Sequence, residues 1–119
     1  MTLVLVALAG GAGCVVRFLA EYLVRSHNPT LRPWATVAAN AVGCGIAGWV
    51  AYRLIGTADA HLRSVIITGF CGGLTTFSSA LAIPALLQRQ HHWGFSLSLV
   101  LTTPLLCGAL FVLGMSLAH

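Results

Sequence analysis

The sequence predicts an all-α membrane domain of four transmembrane helices, the third of them broken near its middle. Three observations predict it. Of the 119 residues, 58% are hydrophobic and only 7% are charged, whereas a water-soluble domain carries about a quarter charged residues. Four long apolar stretches occupy nearly the whole chain, and the short connections between them hold most of the charge. The third stretch has a run of Gly, Thr and Ser at its centre where a plain anchor would carry Leu and Val.

Crossing the ~30 Å hydrocarbon layer takes roughly 20 mostly apolar residues in helical form, because lipid offers the backbone no hydrogen-bond partners. The first stretch runs from Thr2 to Val24; it has no basic residue ahead of its apolar run and is as long as the others, so it is expected to remain in the mature protein. The second runs from Trp34 to Ile55, the third from Ser64 to Leu87 and the fourth from Gly94 to Ala118. Together they form a single four-helix transmembrane domain over residues 1–119, with a multi-pass location in the cell membrane.

The net charge of +4 comes entirely from arginine. Arg25, Arg32 and Arg89 fall on one side of this topology, and Arg53 and Arg63 on the other. So weak a bias suits insertion in both orientations and antiparallel pairing of two chains, and equally a fixed topology that is only weakly set. The arginines are scattered over loops and helix ends, which gives no support for nucleic-acid binding. Cys14, Cys44, Cys71 and Cys107 fall one per helix with no metal-binding spacing, and read as small apolar packing residues.

Polar groups at bilayer depth are costly unless paired or lining a wet path. In the second helix Thr36, Asn40, Gly43 and Ala47 share one face. Small residues there serve close helix packing, while Asn40 is either a packing contact or an ion contact. Ser96, Thr103, Cys107 and Gly114, with Thr102 beside them, form a weaker stripe in the fourth helix, since Thr hydroxyls often bond back to their own helix. Arg17 precedes Glu21 by one turn, a spacing that suits an ion pair; near a helix end Arg17 could equally snorkel to the headgroups. In the third helix the pair Gly72-Gly73 weakens the helix and Thr75, Thr76, Ser78 and Ser79 offer hydroxyls to freed backbone groups, so a break at mid-membrane is expected. Carbonyls exposed at such a break can coordinate a cation, while N–H and hydroxyl groups can face an anion. The ring edge of Phe77 is positive and suits an anion as well.

The segment Gly69-Phe70-Cys71-Gly72-Gly73-Leu74-Thr75-Thr76-Phe77-Ser78-Ser79 resembles the third-helix signature of the small fluoride channels, the Fluc/CrcB family. Gly10-Gly11-Ala12-Gly13 followed by Arg17, and Asn40 followed by Gly43, are similar to its first- and second-helix patterns, and length and helix count agree from end to end. The third-helix motif is the specific one; the other two are weak alone. The resemblance implies a dual-topology antiparallel dimer that passively conducts fluoride out of the cytoplasm, with a structural sodium ion at its centre. It assigns the sodium to backbone carbonyls of Gly72 and Thr75. Asn40, Phe77, Ser78, Ser79 and Thr103 become the fluoride pathway.

Two departures stand out. Ala80 occupies the position of a second Phe in the family pattern, and Ile83 that of an acidic residue found in many members. Half of a paired aromatic arrangement is missing, as expected for a homodimer with fewer pores or for a non-conducting or half-pore partner in a heterodimer with a paralogous chain. A proton-coupled exporter of the small multidrug resistance type has similar length and helix count, but it needs a membrane-embedded carboxylate. The only acids here are Glu21 near a helix end and Asp59 in a loop. No nucleophile–base pair, metal-ligand cluster or nucleotide loop points to an enzyme.

Overall fold

A computed structural model describes residues 1–56, 59–89 and 91–119, with the side chains of Ser79, Pro84 and residues 86–88 outside the description. Helix α1 spans Thr2–His27 and ends where Asn28 turns extended (φ −151°, ψ 101°). The Asn28 side chain accepts from the Thr30 backbone N–H and starts a short 3-10 turn, Pro29–Leu31. Pro33 then enters the first turn of α2, Arg32–Arg53, where its missing N–H is no loss. The next helical stretch, α3, begins as Ala60–Ser64, widens into a π-helical segment over Val65–Cys71 and closes with Gly72–Leu74. Thr75 is extended (φ −91°, ψ 141°). Helix α4 follows at Phe77–Arg89, and α5 runs over Trp93–Ala118 with Pro104 inside it.

The described residues are almost wholly helical. Three helical segments, Thr2–His27, Pro29–Arg53 and Trp93–Ala118, are long and apolar enough to cross a membrane. Their large apolar side chains point outward: Leu3, Leu8, Phe18, Leu105, Val112 and Leu117 are all more than 60% exposed. An exposed apolar surface of this extent suits lipid or a partner and not water. The chain measures 51 Å along its longest axis, and a bilayer with its headgroups is about 40–45 Å thick.

Two helix pairs organise the interior. Helices α2 and α5 lie side by side and parallel: Trp34 meets Phe95 near their starts (ring centroids 6.0 Å apart), and Tyr52 meets His119 at their ends (5.7 Å). Aromatic side chains at both ends of such a pair suit the two membrane–water interfaces. Helices α1 and α3 are also parallel. Thr2 Oγ1 and His61 Nδ1 are 2.8 Å apart at their starts, and Gly10 and Gly13 meet Gly73, Phe70 and Leu74 further along. As a consequence α3 stops level with the middle of α1.

Glycine makes both pairs close. A Cβ on Gly48 would fall on the Phe111 carbonyl, and one on Gly114 on the Gly45 carbonyl. Likewise a Cβ on Gly73 would strike the Gly10 carbonyl, and one on Gly13 the Phe70 carbonyl. Backbone meets backbone at these points, so no rotamer change can make room. Gly11 and Gly108 have no atom within 4 Å of such a Cβ. We therefore expect Gly48→Ala and Gly73→Ala each to destabilise the fold by about 1–3 kcal/mol through overpacking. Gly11→Ala and Gly108→Ala should leave the thermal midpoint in detergent unchanged; equal effects at all four positions would contradict this packing.

Candidate functional site

The site grows from the interruption between α3 and α4. An interrupted helix inside an apolar layer leaves N–H and C=O groups without partners, and each such group is expensive when buried. Here Asn40 of α2 supplies both. The Thr76 N–H donates to Asn40 Oδ1 at 2.9 Å, and Asn40 Nδ2 donates to the Thr76 carbonyl at 3.3 Å. The carboxamide thus pairs with Thr76 as a neighbouring peptide would, and it is 5% exposed while doing so. On the near side of the break, the Cys71 carbonyl accepts from both the N–H (2.9 Å) and the hydroxyl (2.8 Å) of Thr75. Gly43, one turn after Asn40, leaves the space that Thr75 fills: a Cβ there would lie 2.5 Å from Thr75 Cγ2.

In a continuous helix the Thr76 N–H would bond the Gly72 carbonyl. Its diversion to Asn40 removes that donor from Gly72. Gly72 itself is exposed, and a Cβ on it would meet only the Ile67 carbonyl at 3.8 Å. The Thr76 hydroxyl is buried and has no hydrogen-bond partner among the described residues.

A half-open cavity of about 430 Å³ borders the break. It brings Asn40, Thr75, Thr76 and Phe77 together with Thr103 and Pro104 of α5. Phe77, at the start of α4, is 79% exposed, and the first N–H groups of α4 have no intrahelical acceptor, which gives this end a partial positive charge. Thr103 is buried, and its hydroxyl donates to the Leu99 carbonyl at 2.7 Å. One residue on, Pro104 has no N–H for the carbonyl of Val100, which also lines the cavity.

Of the residues singled out from the sequence, Asn40, Thr75, Phe77 and Thr103 therefore meet at one cavity. Ser78 is exposed on the first turn of α4 and is not among the lining residues. Ser79 lies in the same turn, with its side chain outside the described residues. Gly72 opens onto a different part of the surface. Thr36 is buried on α2 with Asn40 and Gly43, as expected, but serves a different partner: it is 2% exposed and donates to Glu21 Oε1 at 3.1 Å. The spacing-based pair of Arg17 with Glu21 is absent among the described residues, where no ion pair within 4.0 Å forms between them; Glu21 takes its partner from α2 instead. Thr102 and Thr103 both bond back to their own helix.

Motif reasoning passed over Pro104 and read Thr76 only as one of several hydroxyls available to freed backbone groups. Pro104 was legible as a helix-interior proline; the lone hydroxyl of Thr76 depends on packing. The Asn40 splint gives a direct expectation. Asn40→Ala leaves a buried N–H and C=O of Thr76 unpaired, at about 1–3 kcal/mol, and should lower the thermal midpoint and speed hydrogen exchange at the Thr76 amide. Unchanged exchange there would show that α2 does not hold the break.

Comparison with known proteins places these features in a family. The family model described as "CrcB-like protein, Camphor Resistance (CrcB)" matches residues 4–115. A protein of Prosthecochloris aestuarii named "Fluoride-specific ion channel FluC" is 39% identical over 119 residues, covering 97% of this chain and 91% of that protein. A protein of the same name from Sulfurovum sp. is 31% identical over 115 residues, with 97% and 91% covered. "Fluoride-specific ion channel FluC 1" of Mycolicibacterium paratuberculosis is 36% identical over 98 residues, covering 80% of this chain and 74% of its own length. With a match over nearly its full length, this multi-pass membrane chain belongs to the CrcB-like family.

Proposed function

We propose that the chain is a subunit of a passive, fluoride-selective channel that lets fluoride leave the cytoplasm, working as an antiparallel dimer in the cell membrane. The observation that carries this is the cavity at the α3–α4 break, where neutral donors gather around a broken helix and no charged side chain is among the lining residues. Fluoride is small and tightly hydrated, so a path for it needs fixed donors to replace water without holding the ion too strongly. The Asn40 amide, the ring edge of Phe77, the unpartnered Thr76 hydroxyl, Ser78, Ser79 and Thr103 are the groups we assign to that path. Helices α3 and α4 together make the fourth crossing, because α3 stops at mid-depth and α4 leads on toward the start of α5.

We assign a structural sodium ion to the Gly72 and Thr75 carbonyls of both chains. Gly72 suits this role: its carbonyl has lost the Thr76 donor to Asn40, and a Cβ on it would make only an ordinary contact, 3.8 Å from the Ile67 carbonyl. Sodium would supply a positive centre that ties two breaks together without any carboxylate. A second assignment, a half-pore partner in a heterodimer, is favoured by Ala80. It lines the cavity itself, at the position of the second Phe in the family pattern.

Fluoride efflux from liposomes holding this chain alone tests the assignment: a homodimeric channel empties them, and a half-pore partner does not. Phe77 is exposed, so Phe77→Ile should keep the fold while slowing efflux by about tenfold or more, a barrier change of roughly 1.4 kcal/mol. Efflux at the normal rate would remove Phe77 from the path. Because nothing within the protomer crowds Gly72, Gly72→Val should spare the monomer fold and instead weaken dimerisation or its sodium dependence. A Gly72→Val protein that still forms a sodium-dependent, conducting dimer would refute the ion site.

A further inference from the structure

The proposed path makes no use of the four cysteines, all of which are free thiols. Three of them converge. Cys44 on α2 and Cys107 on α5 both line the cavity beside the helix break, on two helices that approach closely just beyond them, where Gly45 meets Leu110 and Gly114. Cys71, 3% exposed, has its carbonyl 3.7 Å from where a Cβ on Gly43, the neighbour of Cys44, would lie. Cys14 belongs elsewhere, its Sγ directed to the Gly73 carbonyl at 3.4 Å. The separation of Cys44 from Cys107 is set by rigid backbone, since Gly45, Gly48 and Gly114 clamp α2 to α5 within the next two turns.

Two thiols on facing helices at the wall of one open cavity offer a chelate. Among the described residues no group of three His, Cys, Asp or Glu side chains is placed to hold a metal, so the chelate offers two ligands and no more. Zinc in a structural site takes four. Soft thiolates select soft ions, and the d10 ions Cu(I), Ag(I) and Hg(II) are satisfied by two sulfurs in a near-linear arrangement.

We propose that Cys44 and Cys107 form a two-thiol site for Cu(I), Ag(I) or Hg(II), and that a metal bridging them plugs the cavity at Asn40, Phe77 and Thr103. For mercury, two Cys–SH groups and one Hg2+ give Cys–S–Hg–S–Cys and two protons, which leave to solvent; no electrons are transferred. Capture of the metal stands on the thiol geometry alone, whereas plugging rests on the channel assignment above.

The test uses purified full-length protein, one equivalent of Hg2+ and excess glutathione as a monothiol competitor, followed by mercury content per chain. Wild type, Cys14→Ala and Cys71→Ala should each retain the metal. Cys44→Ala and Cys107→Ala, or Cys107→Ser where the Ala protein does not fold, should hold it about a hundredfold or more weakly, because the second bond of a chelate is intramolecular. Equal retention after loss of either Cys44 or Cys107 overturns the site. In liposomes each variant's fluoride efflux is compared with its own metal-free rate. Wild type should be blocked and Cys107→Ala should not, and undiminished efflux from wild type with mercury bound overturns the plug. If wild type moves no fluoride even without metal, the channel assignment fails, and the retention measurement alone decides the site.

Discussion

The fold depends on how one pair of backbone groups is satisfied where a helix stops inside an apolar layer. Thr76 would leave an N–H and a C=O without partners, and Asn40 meets both at once. A carboxamide suits this place because it carries one donor face and one acceptor in the same spacing as a peptide group. Neither Gln, with a longer reach, nor Asp, without a donor, has both properties at this distance. The side chain assigned above to the fluoride path thus holds the architecture, through hydrogen bonds to Thr76 from both ends of its amide.

That splint needs the four elements around it to approach closely. Where a glycine of one helix faces a backbone carbonyl of the next, between α1 and α3 and between α2 and α5, the helices come nearer than larger side chains would allow. The consequence is an inside-out protomer. Its small buried set, Val37, Val50, Leu74 and Leu99 among it, lies between tight backbones, while most large apolar side chains face outward. In lipid this arrangement is favourable, because tails solvate Leu as well as a core does and the gain on assembly comes from packing.

The site collects dipoles in preference to charges. The start of α4, a carboxamide, a hydroxyl with no partner among the described residues and an aromatic ring border one cavity, and no arginine is among its lining residues. On the proposed path, groups of this strength would compensate for a lost hydration shell without trapping an ion. Full charges at the same depth would bind an anion too tightly to release it. Glu21, the one acid in a long helix, is held by Thr36.

Much of this was written in the composition. The apolar stretches, the helix-breaking run from Gly72 to Ser79 and an amide, Asn40, inside the second stretch follow from chain chemistry, since lipid allows only a few backbone solutions. The choice of partners was not. Spacing along one helix put Glu21 in reach of Arg17, yet the neighbouring helix brought Thr36 closer; periodicity grouped Thr36 with Asn40, yet one faces Glu21 and the other Thr76. Cysteines far apart in the chain gave no sign that two of them line one cavity. Which segments are helical, and where a helix must fail, are local matters of propensity and solvation that the order of residues settles. Which groups meet at the failure is a matter of three dimensions, because it depends on how closely glycine lets separate backbones approach.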